Sequence, residues 1–340
     1  MSAGASDACQ GRVRDGLDSG RMTTSAIAVT GLRKAYGEKA VLDGIDLDVP
    51  AGTVFSLLGP NGAGKTTAVN VLTTLTKADG GTVRVAGLDV AAETRAVRKI
   101  IGVTGQFAAV DDLLTGAENL QLMADLHHLP ARAGKRVTAA LLERFDLVES
   151  AQKLASTYSG GMRRKLDLAM TLVTRPRIIF LDEPTTGLDP RSRRTMWDIV
   201  RELVADGVTV FLTTQYLEET DQLADRIAVL DQGRIVAQGT PGELKRRVPG
   251  RHVQLRFAGA ADLEAAAQIL PDATRDDEAL VLRVPGDGGT RSLRDLLNLL
   301  DAHSIEAEDV SVRTPDLDDV FLSLTGHAST GHSNTEAIAS

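Results

Sequence analysis

The stretch Gly59-Pro60-Asn61-Gly62-Ala63-Gly64-Lys65-Thr66-Thr67 decides the fold of this 340-residue chain. It matches the phosphate-binding pattern G-x-x-x-x-G-K-[ST], with an apolar run at 54–58 before it and a helix-forming stretch after it. Glycines let the backbone curve around a phosphate and turn several N–H groups inward, and the following helix adds its positive N-terminal end. Lys65 can then reach the terminal phosphates of a nucleotide, and the Thr66 hydroxyl can bind Mg²⁺. The alternative, a glycine-rich turn before an ordinary helix, is disfavoured by the placement of Lys-Thr directly after a strand.

Two further motifs lie downstream, namely Tyr158-Ser159-Gly160-Gly161-Met162 and a strand-like run at 177–181 that ends in Asp182-Glu183-Pro184. A Ser-Gly-Gly step that opens a helix is a second anion-binding N-terminus. Asp182 is placed to hold Mg²⁺ through water, and Glu183 to orient and polarise an attacking water. Alone, each motif would read as a loop or a solvated strand end. Their order after a phosphate loop indicates nucleotide hydrolysis.

The three motifs in this order resemble the ATPase subunit of ATP-binding-cassette (ABC) proteins, over residues 26–239. Tyr36 matches the aromatic residue that stacks on adenine, and Gln106 matches the glutamine that senses the γ-phosphate and Mg²⁺. Gly187-Leu188-Asp189 matches the loop that signals across the dimer in that family. The resemblance implies a homodimer in which two copies face each other head to tail. Each ATP would lie between the phosphate loop of one copy and the Ser-Gly-Gly helix of the other.

The resemblance therefore implies ATP and Mg²⁺ as cofactors and assigns three sets of site residues. The expected catalytic residues are Glu183 and Gln215. The expected nucleotide-binding residues are Tyr36, Gly59, Pro60, Asn61, Gly62, Ala63, Gly64, Lys65, Thr66, Thr67, Gln106, Ser159, Gly160, Gly161 and Asp189. The expected metal ligands are Thr66, Gln106 and Asp182.

Two departures from the family pattern indicate which branch of the family this chain resembles. The usual Leu-Ser-Gly-Gly-Gln is Tyr-Ser-Gly-Gly-Met here, and Gln215 stands where the family has a histidine. Both variants, and the ending at 317–326, resemble the ATP-binding proteins of daunorubicin/doxorubicin-resistance exporters. That branch implies export of a hydrophobic drug or lipid-like compound through a separate integral membrane permease, with the ATPase peripheral on the cytoplasmic face of the cell membrane.

Gln215 itself has two interpretations. An amide can donate a hydrogen bond to the γ-phosphate, but it cannot carry a proton near neutral pH as imidazole can. Alternatively, Gln215 only caps the helix that follows it.

Composition excludes several functional classes. The chain is 43% hydrophobic and 25% charged, with a formal net charge of -8 and only 3% aromatic residues, so we expect no nucleic-acid partner. The single cysteine, Cys9, excludes an internal disulfide and fits a cytosolic location. No run of eighteen apolar residues is present, so the expected permease must be another polypeptide.

Alternating strand and helix patterns predict an α/β fold, with the phosphate loop at the carboxyl end of its strand. The predicted elements include a first strand at 26–29, a capping box at Thr115-Gly116-Ala117-Glu118, a helix at 136–145, a turn at Asp231-Gln232-Gly233 and a helix at 316–324. The expected class is a P-loop NTPase with an ABC ATPase core. That core combines a mostly parallel sheet, an antiparallel β subdomain and a helical subdomain, and a small C-terminal α+β appendage follows it. The predicted divisions are a disordered leader at 1–25, a nucleotide-binding domain at 26–249 with its helical subdomain at about 110–175, an accessory domain at 250–326 and a disordered tail at 327–340.

Several alternatives stay open at this point. Apolar stripes in 110–175 fit internal packing, while the resemblance adds docking of the permease near 106–114. The accessory domain could shield the core or regulate the dimer. A soluble ABC ATPase acting on ribosomes or DNA is the rival class, although one cassette and the lack of long insertions between 65 and 159 disfavour it. An importer ATPase is disfavoured by the two motif variants.

Overall fold

The computed structural model describes residues 25–106, 108–246, 252–286, 289–313, 317, 320 and 321. The predictions for the leader before residue 25, for Cys9 and for the tail lie outside these residues. No helix in the described ranges is long and apolar enough to cross a membrane.

The strands are β1 (Ser25–Tyr36), β2 (Lys39–Pro50), β3 (Val54–Leu58), β4 (Gly80–Val85), β5 (Leu88–Asp89), β6 (Ile101–Thr104), β7 (Ile178–Asp182), β8 (Thr209–Thr214), β9 (Arg226–Asp231), β10 (Arg234–Gly239), β11 (His252–Arg256), β12 (Thr274–Asp276), β13 (Val281–Pro285) and β14 (Asp309–Arg313). The helices are α1 (Lys65–Leu72), α2 (Thr94–Ile100), α3 (Gly116–Leu126), α4 (Ala131–Arg144), α5 (Gly160–Thr171), α6 (Pro190–Ala205), α7 (Leu217–Leu223), α8 (Pro241–Lys245), α9 (Ala260–Ile269) and α10 (Thr290–Ala302).

The central sheet has the strand order β10-β9-β3-β8-β7-β6 and is parallel except for the β10 edge, which confirms the predicted α/β class. In its register, Leu58 of β3 pairs with Thr214 of β8, and Asp182 of β7 pairs with Thr213 of β8. The carboxyl ends of these three strands therefore lie side by side. The residues that follow them, including the phosphate loop, come together at one edge of the sheet.

Both faces of this sheet are buried, which explains why its strands are continuous apolar runs. Along β7, Ile179 and Leu181 pack with α3 to α6 on one face, whereas Ile178 and Phe180 pack with α1 and the antiparallel sheet on the other. Each such side chain contributes about 1.5–3 kcal/mol when fully buried. The core thus fixes the strands whose ends carry the candidate site.

The antiparallel sheet has the strand order β2-β1-β4-β5, and Val41 of β2 packs closely against Gly64 of the phosphate loop. The sequence predicted its first strand only over residues 26–29, but β1 continues to Tyr36. A register shift between Val29 and Leu32, with Gly31 at φ +59°, interrupts the in–out alternation there. Because alternation was the signal used, the prediction stopped at the bulge.

The helical subdomain confirms one predicted capping box and corrects one helix start. Thr115 accepts a hydrogen bond from the Glu118 backbone, and the Glu118 carboxylate accepts one from the Thr115 backbone. The next helix was predicted from 136 but begins at Ala131. Gly134 weakens the helix pattern there, yet a Cβ at this position would lie 3.2 Å from Ala124 Cβ. The glycine lets α4 pack closely on α3. Neither α2 nor β6 was predicted.

The C-terminal region contains the predicted α+β appendage, a sheet in the order β12-β13-β11-β14 that packs with α9 and α10. The described residues of its last predicted helix, at 316–324, pack on the nucleotide-binding domain and not in the core of this appendage. Leu317, Val320 and Phe321 are helical and bury their side chains in a cluster with Leu58 and Leu217 of the nucleotide-binding domain. The sequence placed this segment in the accessory domain because it follows β14. The i, i+3, i+4 spacing reveals an apolar face but not the partner of that face.

Candidate nucleotide site

A cavity of about 730 Å³ opens beside the phosphate loop. It is lined by eight of the predicted residues, Asn61, Gly62, Gly64, Lys65, Thr66, Thr67, Gln106 and Glu183. It is also lined by five residues that sequence reasoning missed, Lys39, Ala40, Val41, Gln232 and Gly233. Residues far apart in the chain thus converge on one concave surface at the edge of the central sheet.

Two glycines allow the loop to fold tightly against its neighbours. A Cβ on Gly59 would lie 2.3 Å from the Leu230 carbonyl oxygen, so only glycine fits beside β9. Gly64 has φ +111° and would place a Cβ 2.8 Å from the Val41 carbonyl oxygen. Gly64 is the N-cap of α1 and provides no side-chain hydrogen bond to the helix. The backbone N–H groups at the amino end of α1 therefore have no side-chain cap, and this end faces the loop and the cavity.

Lys65 occupies the centre of the site and is 5% exposed. Its Nζ donates to the carbonyl oxygens of Gly59 (2.8 Å) and Pro60 (3.2 Å), and lies 3.4 Å from Glu183 Oε1. Burial lowers the pKa of Lys65, while the carboxylates of Glu183 and Asp182 oppose that shift. The result is a cation held in place by carbonyls and paired with the residue predicted to be the general base.

The two carboxylates at the end of β7 point in different directions. Asp182 is 4% exposed and accepts a short hydrogen bond from the Thr213 hydroxyl, whereas Glu183 lines the cavity. Glu183 has φ +49°, an uncommon conformation for a residue with a side chain. Its backbone N–H donates to Thr213, to the carbonyl at 3.1 Å and to the hydroxyl at 3.2 Å. Thr213 was not predicted, because its position opposite Asp182 is a property of the sheet register.

The donor set beside the cavity fits Mg²⁺. Thr66 supplies an exposed hydroxyl in the first turn of α1 and Gln106 an amide, and both line the cavity. Asp182, which is buried and lies outside the lining, supplies a carboxylate. Mg²⁺ prefers such oxygen ligands and usually shares them with phosphate and water rather than with an all-protein cage. The described part of the chain contains no group of three or more His, Cys, Asp or Glu that could hold a metal ion.

The Ser-Gly-Gly segment lies outside this cavity, on the exposed amino end of α5. Ser159 is the N-cap, and its Oγ accepts from the Met162 backbone at 3.3 Å. A Cβ on Gly161 would lie 2.5 Å from Ser192 Oγ of α6, which explains that glycine. Gly160 faces open space, with Leu188 Cδ2 4.0 Å away.

Asp189 is the N-cap of α6 and joins the same surface. Its Oδ1 accepts from the backbone N–H groups of Arg191 and Ser192, each at 3.0 Å, and its Oδ2 accepts from Ser192 Oγ at 2.5 Å. These hydrogen bonds, led by the Ser192 hydroxyl, lower the pKa of Asp189. Ser192, the hydrogen-bond partner of Asp189, thus also packs close to Gly161.

Six other predicted residues also lie outside the cavity lining, namely Gly59, Pro60, Ala63, Asp182, Gln215 and Tyr36. Gln215 is half-buried directly after β8, and the N-cap of α7 is Tyr216, which makes no side-chain cap. Tyr36 is 51% exposed at the end of β1, with Lys34 Nζ 5.4 Å from its ring centroid. The γ-phosphate and adenine roles stay predictions.

The missed residue Gln232 reaches the site through a hairpin turn between β9 and β10. The neighbouring Gly233 donates its N–H to the Ala63 carbonyl (3.1 Å) and accepts from the Asp43 N–H (2.9 Å). The sequence indicated a turn at Asp231-Gln232-Gly233, but nothing local shows that a turn docks on a phosphate loop 170 positions away.

Comparison with known proteins agrees with this geometry. The ABC transporter family model matches residues 42–186. The daunorubicin resistance ATP-binding protein DrrA3 of Streptomyces coeruleorubidus is 52% identical over 307 residues, covering 90% of this chain and 97% of that protein. The chain belongs to the ABC transporter ATPase family. This ABC ATPase binds and hydrolyses ATP, and the resemblance found from its motifs is confirmed.

Other relatives support the same assignment. The daunorubicin/doxorubicin resistance ATP-binding protein DrrA of Streptomyces peucetius is 47% identical over 319 residues, covering 92% of this ABC ATPase and 96% of that relative. The solved structure of the ATP-binding subunit of an ABC transporter superposes with a TM-score of 0.59 at 26% identity. It covers 66% of this chain and 93% of its own.

Proposed function

We propose that this ABC ATPase energises export of a hydrophobic drug or lipid-like compound through a separate integral membrane permease. The support for the cargo class comes from two relatives that match nearly end to end and are named for daunorubicin or doxorubicin resistance. The ATPase would lie peripherally on the cytoplasmic face of the cell membrane and would bind no nucleic acid. Co-expression with the permease should move the ATPase into the membrane fraction, and nuclease treatment should leave it there.

The observation that carries the proposed mechanism is the position of Glu183, inside the phosphate-loop cavity and 3.4 Å from Lys65. In the proposed reaction, Lys65 neutralises charge on the terminal phosphates, and Glu183 orients and polarises the attacking water. Thr66, Gln106 and Asp182 would hold Mg²⁺, which supplies charge stabilisation when bound. The Thr213 hydroxyl bonds to Asp182 and to the Glu183 backbone, so it would keep the metal ligand and the base in register.

A homodimer would complete the site. The cavity of one chain is lined by phosphate-loop residues and by none of Ser159, Gly160 or Gly161. Those residues form an exposed helix start that carries the positive end of the α5 dipole. A second copy arranged head to tail would bring its exposed helix start to the open side of this cavity. Asp189, whose hydrogen-bond partner Ser192 packs close to Gly161, would carry the signal between the two sites.

Glu183→Gln tests the proposed base. Hydrolysis should fall about 10²–10⁴-fold, because the amide cannot accept the proton, while ATP binding persists and the chain accumulates as an ATP-bound dimer. Phosphate release and size-exclusion chromatography with ATP measure the two effects. The matched control is Glu202→Gln, on the exposed side of α6, which should behave as wild type. A Glu183→Gln protein with normal turnover would remove the base assignment.

A further inference from the structure

Arg164 lies on α5, three residues beyond Gly161 of the helix start that faces the partner in the proposed dimer, and the residue is only 7% exposed. Buried arginines are normally paired with carboxylates, but this one binds mainly backbone. It donates to four carbonyl oxygens and one carboxylate. These acceptors are the carbonyl oxygens of Pro184 (2.9 Å), Gly105 (2.7 Å), Asp182 (3.2 Å) and Glu183 (3.4 Å) and the carboxylate of Asp167 (3.3 Å).

The carbonyl partners belong to the two catalytic segments. Three of them are consecutive residues, 182–184, in the turn where Glu183 takes its left-handed conformation. The fourth, Gly105, immediately precedes Gln106. A planar guanidinium with five fixed N–H directions can satisfy such a set at once, because its donors lie in one plane and diverge.

The charge on Arg164 is balanced locally. Asp167, one turn along α5, is 3% exposed and also accepts from the Ala109 N–H at 3.0 Å. This pair leaves the remaining guanidinium hydrogens free to bind carbonyls. The same side chain therefore connects the helix that begins at the Ser-Gly-Gly motif to the base-bearing turn and to the Gln106 loop.

We propose that Arg164 is a positioning residue for ATP hydrolysis, which fixes the turn carrying Glu183 and the start of the Gln106 loop to helix α5. The placement of the base then follows the position of α5, so a movement of that helix against the central sheet changes the alignment of the attacking water. This inference rests on the proposed role of Glu183.

Arg164→Lys is the first test. Lysine keeps the positive charge beside Asp167 but lacks the planar fork, so it cannot reach the same carbonyls together. A misplacement of about 1 Å at a reacting group can cost up to about 10²-fold, so we expect kcat to fall about 10- to 100-fold with little change in the KM for ATP. The control is Arg163→Lys on the same helix, where the guanidinium makes a partly exposed ion pair with Asp112 at 2.6 Å. Its kcat should not change.

A purely structural role predicts a different result, namely a lower melting temperature with normal kcat per folded molecule. That result would overturn the proposal, as would a raised KM with normal kcat. If Arg164→Lys does not fold, Arg164→Met combined with Asp167→Asn removes the donors without leaving a buried unpaired carboxylate. The new amide oxygen can still accept from Ala109, and kcat must fall in this double variant as well.

A double-mutant cycle with Glu183→Gln separates the two proposals. If Arg164 acts through Glu183, Arg164→Lys should cost little extra single-turnover rate once the base is gone. Fully additive losses would overturn the positioning role while leaving the base intact. Normal turnover by Glu183→Gln alone would instead refute the assigned base, whatever Arg164→Lys does.

Discussion

The amino ends of α1 and α5 are both glycine-rich, yet the protein surrounds them differently. At α1, Gly64 and Lys65 are buried, and the helix end opens into a cavity that contains a cation and a carboxylate. At α5, Ser159 and Gly160 are exposed, and the N-cap hydroxyl satisfies a donor of its own helix. The amino end of α1 lies in the cavity and forms one half of the site, here called the enclosed half. The amino end of α5 is exposed on the protein surface. This difference is what the proposed head-to-tail dimer requires, because in that dimer the two halves of a site meet only when a second copy is present.

Lys65→Ala should have the largest effect on the α1 half. Removing the buried cation that is proposed to neutralise the phosphates should lower hydrolysis by at least about 10²–10³-fold and weaken ATP binding. Phosphate release and fluorescent-nucleotide titration measure the two losses. Lys77→Ala, an exposed lysine shortly after α1, is the control and should match wild type. Wild-type turnover by Lys65→Ala would break the enclosed-site interpretation.

Much of this enclosed half could be predicted from the sequence, because its chemistry is local. A glycine loop, a lysine and paired carboxylates after apolar strands are read directly from spacing. Gln232, Thr213 and Arg164 could not be predicted. The position of Gln232 depends on the docking of a hairpin turn, and that of Thr213 depends on strand register. The contacts of Arg164 are with backbone carbonyls, which are present at every residue and give no pattern in the sequence.

The fold shows the same division between local and long-range information. Strands buried on both faces and the Thr115 capping box were predicted, since each has a local signature. The continuation of β1 past a bulge was missed. The packing of Phe321 on the nucleotide-binding domain was also missed, because it joins residues from opposite ends of the chain.

Phe321→Ala should weaken the α1 half through packing alone. Phe321 shares a cluster with Leu58, which directly precedes the phosphate loop, so its truncation should cost about 3–5 kcal/mol of unfolding free energy. Trp197, the single tryptophan, lies in the nucleotide-binding core and reports denaturant unfolding there. Leu300→Ala, in the separate core of the appendage, should leave the Trp197 transition unchanged. Equal shifts in both variants would contradict separate cores.

Gln215 gives the smallest expected effect, since it lies beside the enclosed half rather than in it. Gln215→Ala should lower turnover about tenfold, the order of one hydrogen bond to a charged group. Gln215→His should retain much of the turnover and gain a dependence between about pH 6 and 7, because imidazole titrates near pH 6.5. A pH–rate profile of each variant tests this. If Gln215→Ala changes only the melting temperature, Gln215 has a structural role.

The claim that two copies share each site is tested most directly by mixing two inactive variants. Lys65→Ala disables the α1 half, and Gly160→Asp disables the α5 half by placing a carboxylate at an anion site, where the space around Gly160 should let the chain fold. In a head-to-tail dimer of the two, one site keeps both intact halves. An equimolar mixture should therefore recover up to about a quarter of wild-type ATP turnover, since half of randomly paired dimers are mixed. Turnover no higher than that of the separate variants, with mixed dimers shown by mass spectrometry, would contradict the account.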